Sequence, residues 1–197
     1  MTPREAIAPP ELAVVCTPAP GDPVVVAVTG ALGKRSTAAL LARLLGAATT
    51  ATTSLAAAGA PRVAVVLNVG CTGHGKQRAA EAIGELLDTL PPDGLAVLNA
   101  DDPYARALAA RSSAPVLTFG RTDGDVRAVG VRLDPAGRAA FTLTDPHGAG
   151  APVRLDRPGA CQVFNATAAA AVGLGLGLEL GRVAGALGTD WGAGAAF

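Results

Sequence analysis

Val24-Val25-Val26-Ala27-Val28-Thr29-Gly30-Ala31-Leu32-Gly33-Lys34-Arg35-Ser36-Thr37 is the stretch that decides the fold. Five apolar residues run into a glycine-bounded turn, and Leu40, Leu41, Leu44 and Leu45 then recur at helical spacing up to Gly46. A continuous apolar run followed by a tight turn and a helix reads as a buried parallel strand. Strand, loop and helix N-terminus in this order make a phosphate cradle. Glycines admit backbone N–H groups close to the oxygens, and the helix end adds positive potential. Lys34 is placed to reach terminal phosphates. Gly30-x-x-Gly33-Lys34 is shorter than the full G-x-x-x-x-G-K-[ST] P-loop signature. Val28 stands at its first glycine, and Arg35 at the Mg²⁺-binding hydroxyl. An ordinary strand-turn-helix corner with a chance lysine is the competing reading of these residues.

Downstream, the same pattern repeats. Val63-Ala64-Val65-Val66-Leu67 is a second buried-type strand, and it runs into the glycine-rich Asn68-Val69-Gly70-Cys71-Thr72-Gly73-His74-Gly75. A loop at the carboxyl end of a parallel strand is where open α/β sheets keep their ligands. Arg78 to Leu90 predicts an amphipathic helix stopped by Pro91-Pro92. Leu95-Ala96-Val97-Leu98 is a third strand, delivering Asn99-Ala100-Asp101-Asp102-Pro103; a helix over Tyr104 to Arg111 and a strand over Val116 to Phe119 follow. Strand-helix alternation predicts an α/β three-layer, P-loop-like sandwich with a mostly parallel sheet. After Gly120 the texture changes to short alternating segments split by Asp134-Pro135-Ala136-Gly137 and Asp145-Pro146-His147-Gly148, which predict a small antiparallel meander. Asn165 to Leu178 and Leu180 to Leu187 read as two closing helices before a glycine-rich tail with Trp191. Residues 1–22 form a Pro-rich segment holding at most one edge strand, Leu12 to Cys16. Ala47 to Ala60 reads as a connection or a frayed helix, and residues 23–197 as the domain proper.

Composition narrows the function classes. The 197 residues are half apolar with 3% aromatics, enough for one core built from small aliphatics. Sixteen basic residues balance sixteen acidic ones without a basic block, which argues against a nucleic-acid surface. Three widely spaced cysteines, Cys16, Cys71 and Cys161, argue against a disulfide framework or zinc site and suit a reducing compartment. The N-terminus lacks a signal-peptide core and no apolar run reaches membrane-span length, so the expectation is a cytoplasmic protein without a membrane partner.

Thr29-Gly30-Ala31-Leu32-Gly33-Lys34, Leu95 through Pro103, Val116 through Gly120, and Pro158-Gly159-x-x-x-Val163-Phe164-Asn165-Ala166 recur in this order in one family. They resemble the central ATP-binding domain of the Mur ligases, over roughly residues 24 to 188. The pattern is closest to the branch that adds D-alanyl-D-alanine to a UDP-muramoyl tripeptide. The resemblance implies a peptidoglycan-type amide ligase that activates a carboxylate as an acyl phosphate with ATP and Mg²⁺ before an amine attacks. It implies ATP contacts at Thr29, Gly30, Gly33, Lys34, Arg35, Ser36, Asn99 and Asn165, with Lys34 also catalytic by neutralising transferred charge.

Departures from that pattern are equally specific. Arg35 replaces the hydroxyl after the lysine, with Ser36 one step on. Cys71 and Gly73 stand where the family has an acid and a histidine, with His74 one place off. The family's carbamylated lysine falls near Ile83, and its H-N-x-x-N becomes Cys161-Gln162-x-x-Asn165. Some tens of residues between Gly46 and Arg62, the N-terminal UDP-substrate domain and the C-terminal domain are absent by comparison. Mg²⁺ requires hard oxygen ligands, so these losses predict weak ATP binding, weak or no Mg²⁺ binding, and no assigned metal ligands. Two classes stay open. One is a pseudoenzyme: a nucleotide-binding or interaction module without independent ligase activity. The other is an amide ligase working with a partner such as a full-length ligase. Among single residues, Cys71 reads as a thiol or a buried filler, and His74 as an imidazole catalyst or a loop residue. Asp101 and Asp102 read as an acid pair or as helix cap and turn former.

Overall fold

The computed structural model describes residues 12–16, 24–46, 48–50, 60–70 and 74–188, with 12–16, 48–50 and position 74 given by backbone alone. The expectations placed on Cys71, Gly73, Trp191 and most of Ala47 to Ala60 lie outside the described residues. Apolar runs that alternate between two faces need cover on both sides, and this requirement sets the architecture. Strands β1 (Leu12–Cys16), β2 (Val25–Thr29), β3 (Ala48–Thr50), β4 (Val63–Val66), β5 (Leu95–Asn99), β6 (Val116–Gly120), β7 (Val126–Leu133), β8 (Arg138–Thr144) and β9 (Gly150–Pro158) form one sheet, in the order β3-β1-β2-β4-β5-β6-β7-β8-β9. Its centre, β2, β4, β5 and β6, is parallel. Val28, Val65, Val97 and Leu117 line up across the four strands, as do Ala27, Ala64, Ala96 and Val116.

The period of two sorts these rows onto opposite faces. Val26, Val28, Val65 and Val97 pack with helices α1 (Lys34–Leu45), α4 (Cys161–Gly175) and α5 (Leu180–Leu187). Val25, Ala27, Ala64 and Ala96 pack under helix α2 (His74–Asp88), the short α3 (Pro103–Ala107) and the 3₁₀ turn Leu108–Arg111. This is the three-layer sandwich the strand-helix order predicts. Helix α4 is apolar nearly all round, with Ala166, Ala168 to Ala171 and Val172 fully buried between the sheet and α1. Its small side chains let the helix approach closely: a Cβ at Gly173 would stand 2.7 Å from Leu44 Cδ2.

Several boundaries differ from expectation for identifiable reasons. Helix α1 begins directly after the loop, at Lys34, and α4 four residues early, at Cys161, because glycines set both corners: Gly33 at φ +91° and Gly159 at φ +114°. The helix expected over Tyr104 to Arg111 tightens to 3₁₀ at Leu108. Strand β1 is not an edge. It pairs antiparallel with β2 over five residues, and β3 pairs outside it, so Leu12 to Cys16 belongs to the main sheet and not to a separate leading segment. The meander β7-β8-β9 is antiparallel as predicted and continuous with the main sheet, since Phe119 and Gly120 of β6 pair with Val126 and Arg127.

The β7-β8 turn is held by one carboxylate. Asp134 Oδ1 accepts from the N–H groups of Ala136 and Arg138, each at 2.9 Å, and Oδ2 from Arg138 Nε at 2.8 Å and Arg154 Nη2 at 3.2 Å. The Arg138 backbone N–H, then its guanidinium and that of Arg154, hold this carboxyl below the usual aspartate range against a smaller opposing effect of burial. A depressed folded pKa contributes stability above the unfolded value, about pH 4, and loses it as pH falls. The melting-temperature gap between the wild type and Asp134→Asn is therefore expected to be full at neutral pH and to narrow steadily below about pH 4. A gap that is constant or widens in acid would contradict this.

Candidate functional site

The loop between β2 and α1 lies at the carboxyl end of the parallel strands, where the chain turns sharply enough to need glycine. Gly30 has φ +138° and Gly33, the residue before α1, has φ +91° and ψ −13°. Gly33 caps the helix without a side chain, and no acidic residue lies in the first turn of α1, so the helix end keeps its positive potential. Lys34 is the first helical residue. Its Nζ folds over the loop and donates to Gly30 O at 2.6 Å. Arg35 is exposed beside it.

Asn165, in the second turn of α4 and 128 residues from Thr37, closes the back of the loop. Its Oδ1 accepts a long, 3.5 Å hydrogen bond from buried Thr37 Oγ1. It also sits directly against Gly33, where any added Cβ would overlap it. Thr29 is 1% exposed, its side chain enclosed at the end of β2, while its carbonyl accepts from Leu67 N at 3.0 Å. Ser36 faces the flank of α1 and lines, with Arg157 and Gln162, a cavity of about 210 Å³. The structure thus gathers Gly30, Gly33, Lys34, Arg35 and Asn165 around one helix end, with Thr29 beneath them and Ser36 to one side.

Asn99 stands elsewhere. It is two strands from β2 in the sheet, and both ends of its amide are engaged: Nδ2 donates to Leu67 O at 2.9 Å and Oδ1 accepts from Asp101 N at 2.9 Å. The neighbouring acids divide as cap and turn former. Asp102 Oδ1 accepts from Tyr104 N at 2.9 Å as the N-cap of α3, and its Oδ2 accepts from Val69 N at 2.7 Å. Asp101 collects the N–H groups of Arg121, Thr122 and Asp123. A larger, open concavity of about 640 Å³ lies at Asp101, Arg121 and Ala128 to Val131, but Asp101 there is already satisfied by backbone donors. The chemistry favours the loop, where a cation stands at the start of a helix that has no side-chain cap and no acidic residue in its first turn.

Sequence reasoning passed over Asn68. Its Oδ1 accepts from Ala31 N at 2.8 Å and its Nδ2 donates to Leu32 O at 3.3 Å, bridging the loop after β4 to the loop after β2. The family pattern after this strand, N-x-G-E-x-H, begins at Asn68, but by itself a loop asparagine is ordinary turn chemistry. Ile83, which faces the core as its spacing predicts, is 3% exposed. No described helix is long and apolar enough to cross a membrane.

Comparison with known proteins shows the family. Residues 55–173, more than half of the chain, match the family described as "Mur ligase middle domain". That stretch starts after the loop between β2 and α1 and includes Asn68, Asn99 and Asn165. A UDP-N-acetylmuramoyl-tripeptide--D-alanyl-D-alanine ligase of Mycobacterium tuberculosis is 42% identical over 139 residues, covering 68% of this chain and 27% of that protein. The solved UDP-N-acetylmuramoylalanyl-D-glutamyl-2,6-diaminopimelate--D-alanyl-D-alanyl ligase of Acinetobacter baumannii superposes with a TM-score of 0.72 at 25% identity, covering 85% of this chain and 46% of its own. The MurF ligase of Thermotoga maritima, solved in complex with ADP, superposes at 0.56 and 25% identity, covering 69% and 32%. The chain spans 27–30% of the length of the curated relatives it matches, which add L-alanine in some cases and D-alanyl-D-alanine in others.

Proposed function

We propose, on the premise that this chain belongs to the Mur ligase family, that it is a nucleotide-binding domain of the peptidoglycan-ligase type that does not complete amide ligation by itself. One observation carries the reading: a glycine-bounded loop with Lys34 at the first position of a helix that has no side-chain cap, and Asn165 seated against Gly33. Backbone N–H groups at the start of α1 would hold the β- and γ-phosphates of ATP, with Lys34 leaving Gly30 O to pair with them. A bound ADP in a related MurF ligase supports this choice of ligand. ATP supplies an activated phosphoryl group when bound. This chain's residues position it and offset its charge.

Magnesium fits less well. The exposed guanidinium of Arg35 follows Lys34 directly, a fixed positive charge at the position where the P-loop signature puts the metal's hydroxyl. A planar guanidinium pairs with phosphate oxygens itself. The expected result is ATP binding that is independent of Mg²⁺, with phosphate release at background. Calorimetry and phosphate assays on wild type, Lys34→Ala and Arg35→Thr, with and without Mg²⁺, test this. Lys34→Ala is expected to weaken ATP by about ten- to a hundredfold, the range for losing one charge-assisted contact. No heat and no thermal shift from the folded wild type at millimolar ATP would overturn the nucleotide reading. Steady Mg²⁺-dependent turnover, by the chain alone or with a full-length ligase added, would return it to the active ligases.

A further inference from the structure

We propose that Asn68 is a positioning residue that sets the phosphate loop in its anion-binding shape, an inference that rests on the nucleotide reading above. Its planar amide presents an acceptor and a donor side by side, as a paired backbone strand does. It uses them on Ala31 N and Leu32 O, in consecutive residues at the crown of the loop. The Ala31 N–H is thereby turned toward the protein, and the bend into Gly33 and the first turn of α1 is fixed.

Asn68 can do this because it is itself anchored on both sides. Leu67 donates its N–H to Thr29 O at 3.0 Å and accepts from Asn99 Nδ2 at 2.9 Å, and Val69 donates to Asp102 Oδ2 at 2.7 Å. Two residues on, Gly70 lies so close to Ala31 that any Cβ there would overlap the alanine methyl. The loop after β4 therefore acts as a rigid template for the loop after β2. This gives Asn99 and Asp102 a part in the site without contact with the ligand. They hold the residues that hold the loop.

The test pairs a measurement on the free chain with one on the complex. In Asn68→Ala, hydrogen exchange of the Ala31 amide is expected to accelerate, and the ATP dissociation constant to rise about tenfold, as for two neutral hydrogen bonds removed from a site. Asn68→Asp keeps the acceptor for Ala31 but turns a second oxygen on Leu32 O and adds a negative charge beside the polyphosphate. A larger rise, on the order of a hundredfold, is expected there. Leu87→Ala is the control, a fully buried residue in the opposite helical layer. It is expected to lower the melting temperature without changing the affinity of the folded chain. Asn68 variants that bind ATP as tightly as wild type, or that leave Ala31 exchange unchanged, would overturn the positioning role while leaving nucleotide binding intact. A wild type that binds no ATP would instead sink the nucleotide reading, and the positioning role with it.

Discussion

Replacing Gly33 by valine is expected to abolish measurable ATP binding and to lower the melting temperature, a larger loss than removal of Lys34. Gly33 sits at φ +91°, ψ −13°, a left-handed conformation in which a β-branched residue is strained by roughly 1–3 kcal/mol. Its Cβ would also overlap Asn165 Oδ1 and approach Leu67 Cδ1 to 3.3 Å, and both neighbours belong to buried elements that cannot simply swing aside. The chain has two ways to relieve this. It can rotate the Gly33 peptide, which unwinds the start of α1, or it can push α4 outward, which breaks the Thr37–Asn165 contact. Either removes the helix-end donors from register. At roughly 2–4 °C per kcal/mol for a domain of this size, a fall of about 5–10 °C is expected. Adding Asn165→Ala should recover part of the stability by clearing the overlap. It should recover none of the binding, because the backbone strain and the lost amide remain. Calorimetry with ATP and thermal melts of the two single variants and the double variant decide this; retained affinity in Gly33→Val would show that the loop is not the nucleotide site.

Phe119→Ala is expected to destabilise the chain by about 3–5 kcal/mol, the usual range for truncating a buried phenylalanine. With only four phenylalanines, one tyrosine and one tryptophan in 197 residues, large anchors are few. Phe119 is fully buried in β6, and its ring lies 5.1 Å from that of Phe164 at a tilt of 56°. The small-residue surface of α4 has little capacity to collapse into the space, since Ala166 and Ala168 to Ala171 carry no flexible atoms to move into it. Phe164 immediately precedes Asn165, so a shift of α4 toward the cavity also draws Asn165 away from Gly33. Phe119→Ala should therefore weaken ATP binding as well as stability, whereas Phe119→Leu, which keeps most of the volume, should cost under about 1.5 kcal/mol and leave affinity near wild type. Denaturant unfolding gives the first number and calorimetry the second. A Phe119→Ala chain within 1 kcal/mol of wild type would show that the core tolerates this void, contrary to its packing.

Arg35 and Asn68 flank the same loop. If Arg35 replaces metal in neutralising phosphate, the loop depends more heavily on its protein scaffold, because no bridging ion is left to organise the oxygens. Sensitivity of ATP binding to Asn68 and Gly33, combined with indifference to Mg²⁺, is the joint signature expected.

The sequence by itself determined the strand-helix order, the parallel centre and the place of the glycine-bounded loop after β2. Each of these follows from local periodicity: Val24 to Val28, Val63 to Leu67 and Leu95 to Leu98 are too apolar for anything but strands covered on both faces, and Gly30, Gly33 and Gly46 punctuate one helix. Other features were legible only in part. Val163 through Ala166 marked Asn165 through a resemblance, but not its seat against Gly33. The tertiary structure alone decided that β1 is enclosed by β3, that Asp101 and Asp102 serve backbone donors, that Asn99 braces β4, and that Asn68 bridges two loops. These are contacts between polar groups distant in sequence, 37 residues apart for Asn68 and Ala31 and 128 for Thr37 and Asn165. An asparagine carries the same donor and acceptor wherever it stands. Which partners it meets is fixed when the apolar faces of the sheet and helices pack, and no local pattern records that outcome.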